Sequence, residues 1–258
     1  MQLELSGPKL KAALEALVAR ADEQGGVEAY VDALQVKSGM FRDALAGELT
    51  PKAFRTLCAH MATVRRRIGR YAEPDRFGEV KPKIARLLES TDTASTDARV
   101  AAFCAGFPDD REHRWVRDLA AELLHYADPE RYPLMARWVW DLCANTGVLR
   151  EIWHGEDIDH VRLEVPDGYD TFVQLREELA QYLTANGVFR DLLFYVDVLC
   201  AQVYAGYIGE RGGAYLRADF ATPEDPMLHT RRILGLDGVN ASGRTRLKSV
   251  NGRAEIVR

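Results

Sequence analysis

Glycine and proline phrases recur along this chain at the ends of apolar, helix-periodic runs, and that punctuation confines the fold to helices joined by short corners. Gly39-Met40-Phe41-Arg42-Asp43 returns as Gly147-Val148-Leu149-Arg150-Glu151 and as Gly187-Val188-Phe189-Arg190-Asp191. Tyr71-Ala72-Glu73-Pro74-Asp75-Arg76-Phe77 returns as Tyr126-Ala127-Asp128-Pro129-Glu130-Arg131-Tyr132. Glycine ends a helix by supplying a left-handed residue, and proline opens the next because its missing N–H costs nothing in a first turn. In the glycine phrase, the Phe or Leu that follows is expected in the core, with the Arg and acid on the wet side. The apolar pattern around the two proline phrases matches at the same offset, Ile68 with Leu123, Ile84 with Val139 and Leu87 with Leu142. The expectation is a duplicated helix–corner–helix unit, with convergence of routine corners as the competing explanation.

Helical periodicity dominates elsewhere too. Thr50-Pro51 is a hydroxyl cap followed by proline at the first helical position. Phe54, Leu57, Cys58, Met61, Val64, Ile68 and Tyr71 then share one face, predicting a helix from 50 to the Glu73-Pro74 stop. Further helices are predicted near 9–22, 27–37, 80–90, 96–104, 111–126, 132–145, 171–184, 188–205 and 223–234, the last opened by Thr222-Pro223. Near the C-terminus, Asn251-Gly252 between alternating runs predicts a β-hairpin. The fold class is therefore mostly α, a multi-helix globular array with a small C-terminal hairpin. Ser90–Ala98, rich in Ser, Thr and Asp, reads as a linker. It divides an N-terminal helical region (1–90) from a C-terminal helical region with the hairpin tail (91–258), as two domains or as the halves of one.

Composition sets outer bounds. A hydrophobic fraction of 47% and a charged fraction of 28% are ordinary for a globular protein with a real core. A net charge of −5 argues against coating nucleic acid or membrane by bulk charge. Cys58, Cys104, Cys143 and Cys200 are scattered and form no C-x-x-C pair, so reduced, buried, inert thiols are expected. No secretory signal is visible. The most apolar stretch, Val188–Ala205, is broken by Arg190, Asp191, Asp197 and Gln202, short of the roughly 18 uninterrupted apolar residues of a membrane span. A cytoplasmic protein with no membrane partner is expected.

Three groups of residues could carry chemistry. Four histidines have an acid three residues upstream: Asp110/His113, Glu122/His125, Glu151/His154 and Asp157/His160. On a helix these share a face, where a carboxylate and an imidazole can hold one metal ion, as Glu-x-x-His does in carboxylate-bridged bundles. Glu122, His125, Glu151 and His154 are the candidate ligands of a divalent metal, set against cheap surface pairing. The Gly206–Ala221 stretch reads as a long loop, in which Gly209, Gly212 and Gly213 would bring backbone N–H groups to an anion and Arg211 and Arg217 would fork onto it. The basic run Arg65, Arg66, Arg67 and Arg70 could meet nucleic-acid phosphates, although on a helix these arginines are mostly a solvated face. Trp115, Trp138, Trp140 and Trp153 gather in one part of the sequence with Tyr126 and Tyr132, as core or as a ligand pocket.

No nucleophile-elbow, zincin or Cys–His signature is present. The leading expectation is a non-catalytic binding or assembly protein that works through a protein partner or a second copy of itself. The alternatives are a helical enzyme with a metal or anion site near Glu122, His125, His154 and the glycine stretch, and a nucleic-acid binder through Arg65–Arg86.

Overall fold

The computed structural model describes residues 3–22, 25–155, 158–216, 227–237, 247–250 and 253–256, with side chains omitted at 159, from 210 to 216 and in the last two segments. The architecture is mostly α. Ten α-helices occur among the described residues: α1 Gly7–Ala21, α2 Glu28–Ala46, α3 Pro51–Ala59, α4 Pro74–Leu88, α5 Thr96–Ala105, α6 Trp115–Ala127, α7 Val148–Glu151, α8 Tyr169–Ala185, α9 Leu192–Leu216 and α10 Leu228–Ile233. Two short strands, β1 Leu247–Val250 and β2 Arg253–Ile256, pair antiparallel with Val250 opposite Arg253. The Asn251-Gly252 turn, like Thr222-Pro223, lies outside the described residues.

Local signals place several helix starts. The Thr50 hydroxyl accepts from Ala53 N–H at 3.2 Å with Pro51 behind it, and Ser6 caps α1 in the same way ahead of Pro8. In α6 every residue except Arg117 and Ala127 is buried. α9 is packed by α1, α2, α7, α8 and α10. By length and composition alone, Leu192–Gly209, with mean hydropathy 1.4, is long and apolar enough to cross a membrane. Within the fold this helix is central, and its Asp197 and Gln202 are buried and hydrogen-bonded.

The helix expected from 50 to 71 stops at Ala59. From Met61 to Ile68 the chain continues as overlapping turns, with Met61 N–H on Cys58 C=O and Val64 N–H on Met61 C=O, then a 3-10 turn at Gly69–Ala72. This tighter winding still buries Met61, Val64, Ile68 and Tyr71. The His60 cap N–H closes the helix on Leu57 C=O, and a distant segment packs on this turn: Gly235, at φ +67°, lies so close to the His60 carbonyl that a side chain there would fall 1.8 Å from its oxygen. The helix expected at 132–145 is absent. Leu134, Met135, Ala136, Trp138, Val139 and Trp140 are all buried in an irregular crossing, and the polar residues at spacing four, Arg137 and Asp141, are drawn to Asp118 and Arg114 rather than to a solvent face. Its backbone is satisfied by doubling back, with Val148 and Leu149 N–H donating to Trp138 and Val139 C=O.

The repeated phrases do not give repeated structure. Glu73-Pro74 opens α4 from a 3-10 turn, whereas Asp128-Pro129 leads from α6 into the irregular crossing, so no helix–corner–helix unit is duplicated. Gly147 and Gly187 do take positive φ, +126° and +91°, but Gly39 sits inside α2. Phe41 and Leu149 are buried as expected, while Phe189 is 74% exposed and Arg150 is buried. The tryptophans disperse: Trp115 packs with Tyr71 and Phe107, Trp138 with Tyr204, and Trp140 donates to Val165 C=O at 2.9 Å. Cys58 and Cys200 are buried, but Cys143 is exposed. The Ser90–Ala98 stretch is stitched to its surroundings, Ser90 C=O by the Tyr132 hydroxyl and the Asp97 carboxylate by Tyr169 N–H.

Gly147 is where the crossing turns, and an added Cβ would lie 2.7 Å from Val139 O. Gly147→Ala is expected to destabilise by about 2–3 kcal/mol or more, combining left-handed strain with a backbone clash. Chemical denaturation measures it. A cost below ~0.5 kcal/mol would contradict this account of the crossing.

Candidate functional site

Lys37 lies on the α2 face that also carries Tyr30, Leu34 and Phe41, and its side chain is fully buried. The ammonium donates to Glu122 Oε2 at 3.0 Å and to Leu234 C=O at 2.9 Å, and it lies 3.9 Å from the Tyr126 ring centre. Burial pushes the Lys37 pKa down and the Glu122 pKa up, and each charge opposes the shift of the other. His125 is also buried. One ring nitrogen, Nδ1, is 2.8 Å from Tyr132 O and the other, Nε2, is 2.9 Å from Asp197 Oδ2. Tyr132 C=O only accepts, so Nδ1 carries a proton. Gln202 then accepts from the Thr230 hydroxyl at 3.0 Å.

This network absorbs the first pair of expected metal ligands. Glu122 and His125 do not turn toward each other; each is bound to a partner on another element. His154 is exposed, and its backbone N–H donates to Glu4 C=O beside the N-terminal segment, while Glu151 is half-buried in α7. The two pairs therefore do not converge. Among the described residues no group of three or more His, Cys, Asp or Glu is placed to hold a metal. Asp110 and His113 do bond, at 2.7 Å, and His113 Nε2 lies 2.8 Å from the Tyr71 hydroxyl and 3.2 Å from Arg70. Both ring nitrogens are thus used in bracing Tyr71 to the start of α6. Asp157 lies outside the described residues.

The expected anion loop is not a loop. Gly206, Gly209, Arg211, Gly212 and Gly213 all lie in α9, which runs to Leu216, and backbone amides within a helix are directed along its own ladder rather than to a ligand. Arg217 lies outside the described residues. The basic run is partly spoken for. Arg65 grips Asp237 with two bonds, 2.6 and 3.0 Å, and Arg70 stacks on Tyr71, leaving Arg66 and Arg67 exposed.

Two surface features remain. A groove of about 600 Å³ runs between α1, α2 and the 186–191 corner. Leu14, Val18, Val31, Val188 and Tyr195 supply apolar wall, and Phe189 stands at its edge. Asp191 holds a left-handed φ of +53° and accepts from Gln35 Nε2 at 2.7 Å, so the corner that presents Phe189 is fixed. The second feature is a cleft of about 880 Å³ between α5, the start of α6 and the crossing, with Phe107 and Val116 in its wall and Arg114, Arg117 and Arg137 around it.

Sequence reasoning missed Lys37 and Asp197, although each is a charge in an otherwise apolar stripe or stretch, and that mismatch was a usable signal. Compared with family models, with curated proteins and with solved structures, the chain gives no match.

His60 supplies a pH test of the interior. Its pKa is lowered from 6.5 to about 4, chiefly by burial and then by the Lys37 charge. The unfolded chain takes up this proton near pH 6.5, the folded chain only near 4, so stability is full above 6.5 and declines as pH falls toward 4. The loss attributable to His60 is about 3 kcal/mol. In denaturation series between pH 7.5 and 4, His60→Gln is expected to show a shallower decline than the wild type. Parallel profiles would contradict the assignment.

Proposed function

We propose that this chain is a non-catalytic helical assembly protein that acts through protein–protein contacts at the Phe189 groove, and that the partner is a second copy of the chain. The observation that carries this reading is Phe189 itself, 74% exposed on a corner that a left-handed Asp191 and a cross-helix hydrogen bond hold in place. A large exposed aromatic beside an apolar groove is a common mark of an interface. Knob and groove lie side by side on one face, the arrangement an isologous dimer uses, with each Phe189 entering the other copy's groove. Charge fits the same pairing. Glu28 and Asp32 on α2 and Arg190 on the corner line the groove, and none of the three forms an ion pair among the described residues. Across a two-fold axis, Arg190 of one copy meets the acids of the other.

The bonding of the interior favours a binding role over catalysis at Glu122 and His125, because the Glu122 carboxylate is engaged by Lys37 and both His125 ring nitrogens by Tyr132 and Asp197. We include the C-terminal hairpin in this reading. Two strands of this length need a surface to pack on, and β2 lies against α2, the helix that also walls the groove.

Light scattering on eluted protein across a concentration series tests the proposal. The wild type is expected as a dimer that dissociates on dilution, and Phe189→Asp as a monomer with unfolding free energy within ~0.5 kcal/mol of wild type, since the residue is exposed. A wild type that stays monomeric at every concentration would contradict it.

A further inference from the structure

The cleft between α5, the start of α6 and the crossing is built differently from the Phe189 groove. Arg114 and Arg117 lie three residues apart at the start of α6 and so share a face, and Arg137 reaches the same cleft from the crossing. The carboxylates around them are turned to structural work. Asp118, fully buried, accepts from Arg137 N–H at 2.9 Å and from its guanidinium at 3.1 Å. Asp141, also buried, accepts from Ala144 N–H and from Arg114 at 3.2 Å. Asp167 takes both terminal nitrogens of Arg117, one on its carboxylate and one on its carbonyl. Asp110 receives the N–H groups of Glu112 and His113 and the His113 ring. Asp109 alone among the lining acids has no such bond.

The guanidiniums, by contrast, keep donors in reserve. Arg114 makes a single bond and its side chain is 48% exposed. Arg137, with a partly exposed side chain, bonds Asp118 through one terminal nitrogen, and the other stands 3.8 Å from Asp141, too long for a hydrogen bond. Each planar fork is held by a carboxylate behind it, which fixes its orientation before any ligand arrives. Arg114, Val116 and Arg117 place the N-terminal end of α6 at the cleft wall. Phe107, Val116 and the half-buried Cys104 add apolar wall. A volume of about 880 Å³ accommodates a small organic molecule.

We infer that this cleft binds an amphipathic anion, an apolar body ending in a carboxylate or a phosphate, with the anionic end on Arg114 and Arg137 and the body against Phe107 and Val116. The site is separate from the Phe189 groove.

Calorimetric titration of the full chain with octanoate, octyl phosphate and octylamine tests it. Saturable binding of at least one anion is expected, the tighter of the two naming the headgroup, with octylamine at least tenfold weaker. Arg114→Gln, which removes one exposed guanidinium and leaves the carboxylate anchors of Arg117 and Arg137, half-buried Asp167 and buried Asp118, is expected to weaken anion binding about tenfold or more. Ala101→Trp, which fills the cleft from its exposed wall, should abolish binding, while Phe189→Asp should leave it unchanged. Absence of saturable binding by both anions, equal binding of octylamine, or affinity unchanged in Arg114→Gln and Ala101→Trp would overturn the assignment.

Discussion

A fully buried ammonium is the constraint around which this fold is arranged. Removing Lys37 from water costs several kcal/mol, and only a close carboxylate, a carbonyl and an aromatic face offset it. Those partners come from Glu122 and Tyr126 on α6 and from Leu234 after α10, so one side chain ties α2 to two regions far away in sequence. The adjacent Ser38 hydroxyl donates to Tyr126 C=O at 3.0 Å and repeats the α2–α6 tie. His125 with Asp197 then joins α6 to α9, and Gln202 with Thr230 joins α9 to α10. Apolar packing alone would tolerate a slide of one helix along another; these directional bonds do not. The Gly235 approach to His60 and the Arg65–Asp237 grip extend the same docking to the turns after α3.

What the sequence disclosed follows from the range of the interactions involved. The Thr50-Pro51 start, α1, α5 and α8 were legible because caps and amphipathic stripes act within a few residues. The end of α3 was not, because the apolar face continues past Ala59 in tighter turns that pack against Gly235, far away in the chain. The crossing at 132–145 was misread as a helix because Arg137, Asp141 and Asn145 recur at spacing four among apolar residues, a helical period that the buried bonds of Arg137 and Asp141 override. The glycines of 206–213 suggested a loop on local propensity, but propensity is a weak prior and the helix continues through them. Phe189 was assigned to the core by analogy with Phe41 and Leu149. Its phrase follows the same glycine geometry as Gly147, yet the corner it opens faces outward.

The candidate chemistry was only half legible for a related reason. Acid–histidine spacing and arginine runs reveal which side chains are polar, but not what they face. Here Glu122, His125, Arg65 and Arg70 face structural partners inside the fold, and those bonds account for them. The arginines left with spare donors, at 114 and 137, were unremarkable in sequence, because it takes the crossing to bring them together. The chain thus commits its buried polar groups to fixing helix docking, and the two surfaces proposed for recognition both lie outside that network.

The dependence on Lys37 is tested most directly by a double-mutant cycle on unfolding free energy with Lys37→Met and Glu122→Leu. Each single change strands a buried charge and is predicted to cost about 3–5 kcal/mol. The double variant, which strands neither, is predicted to be more stable than either single one. Costs that simply add would contradict the account, since the two groups would then be acting independently.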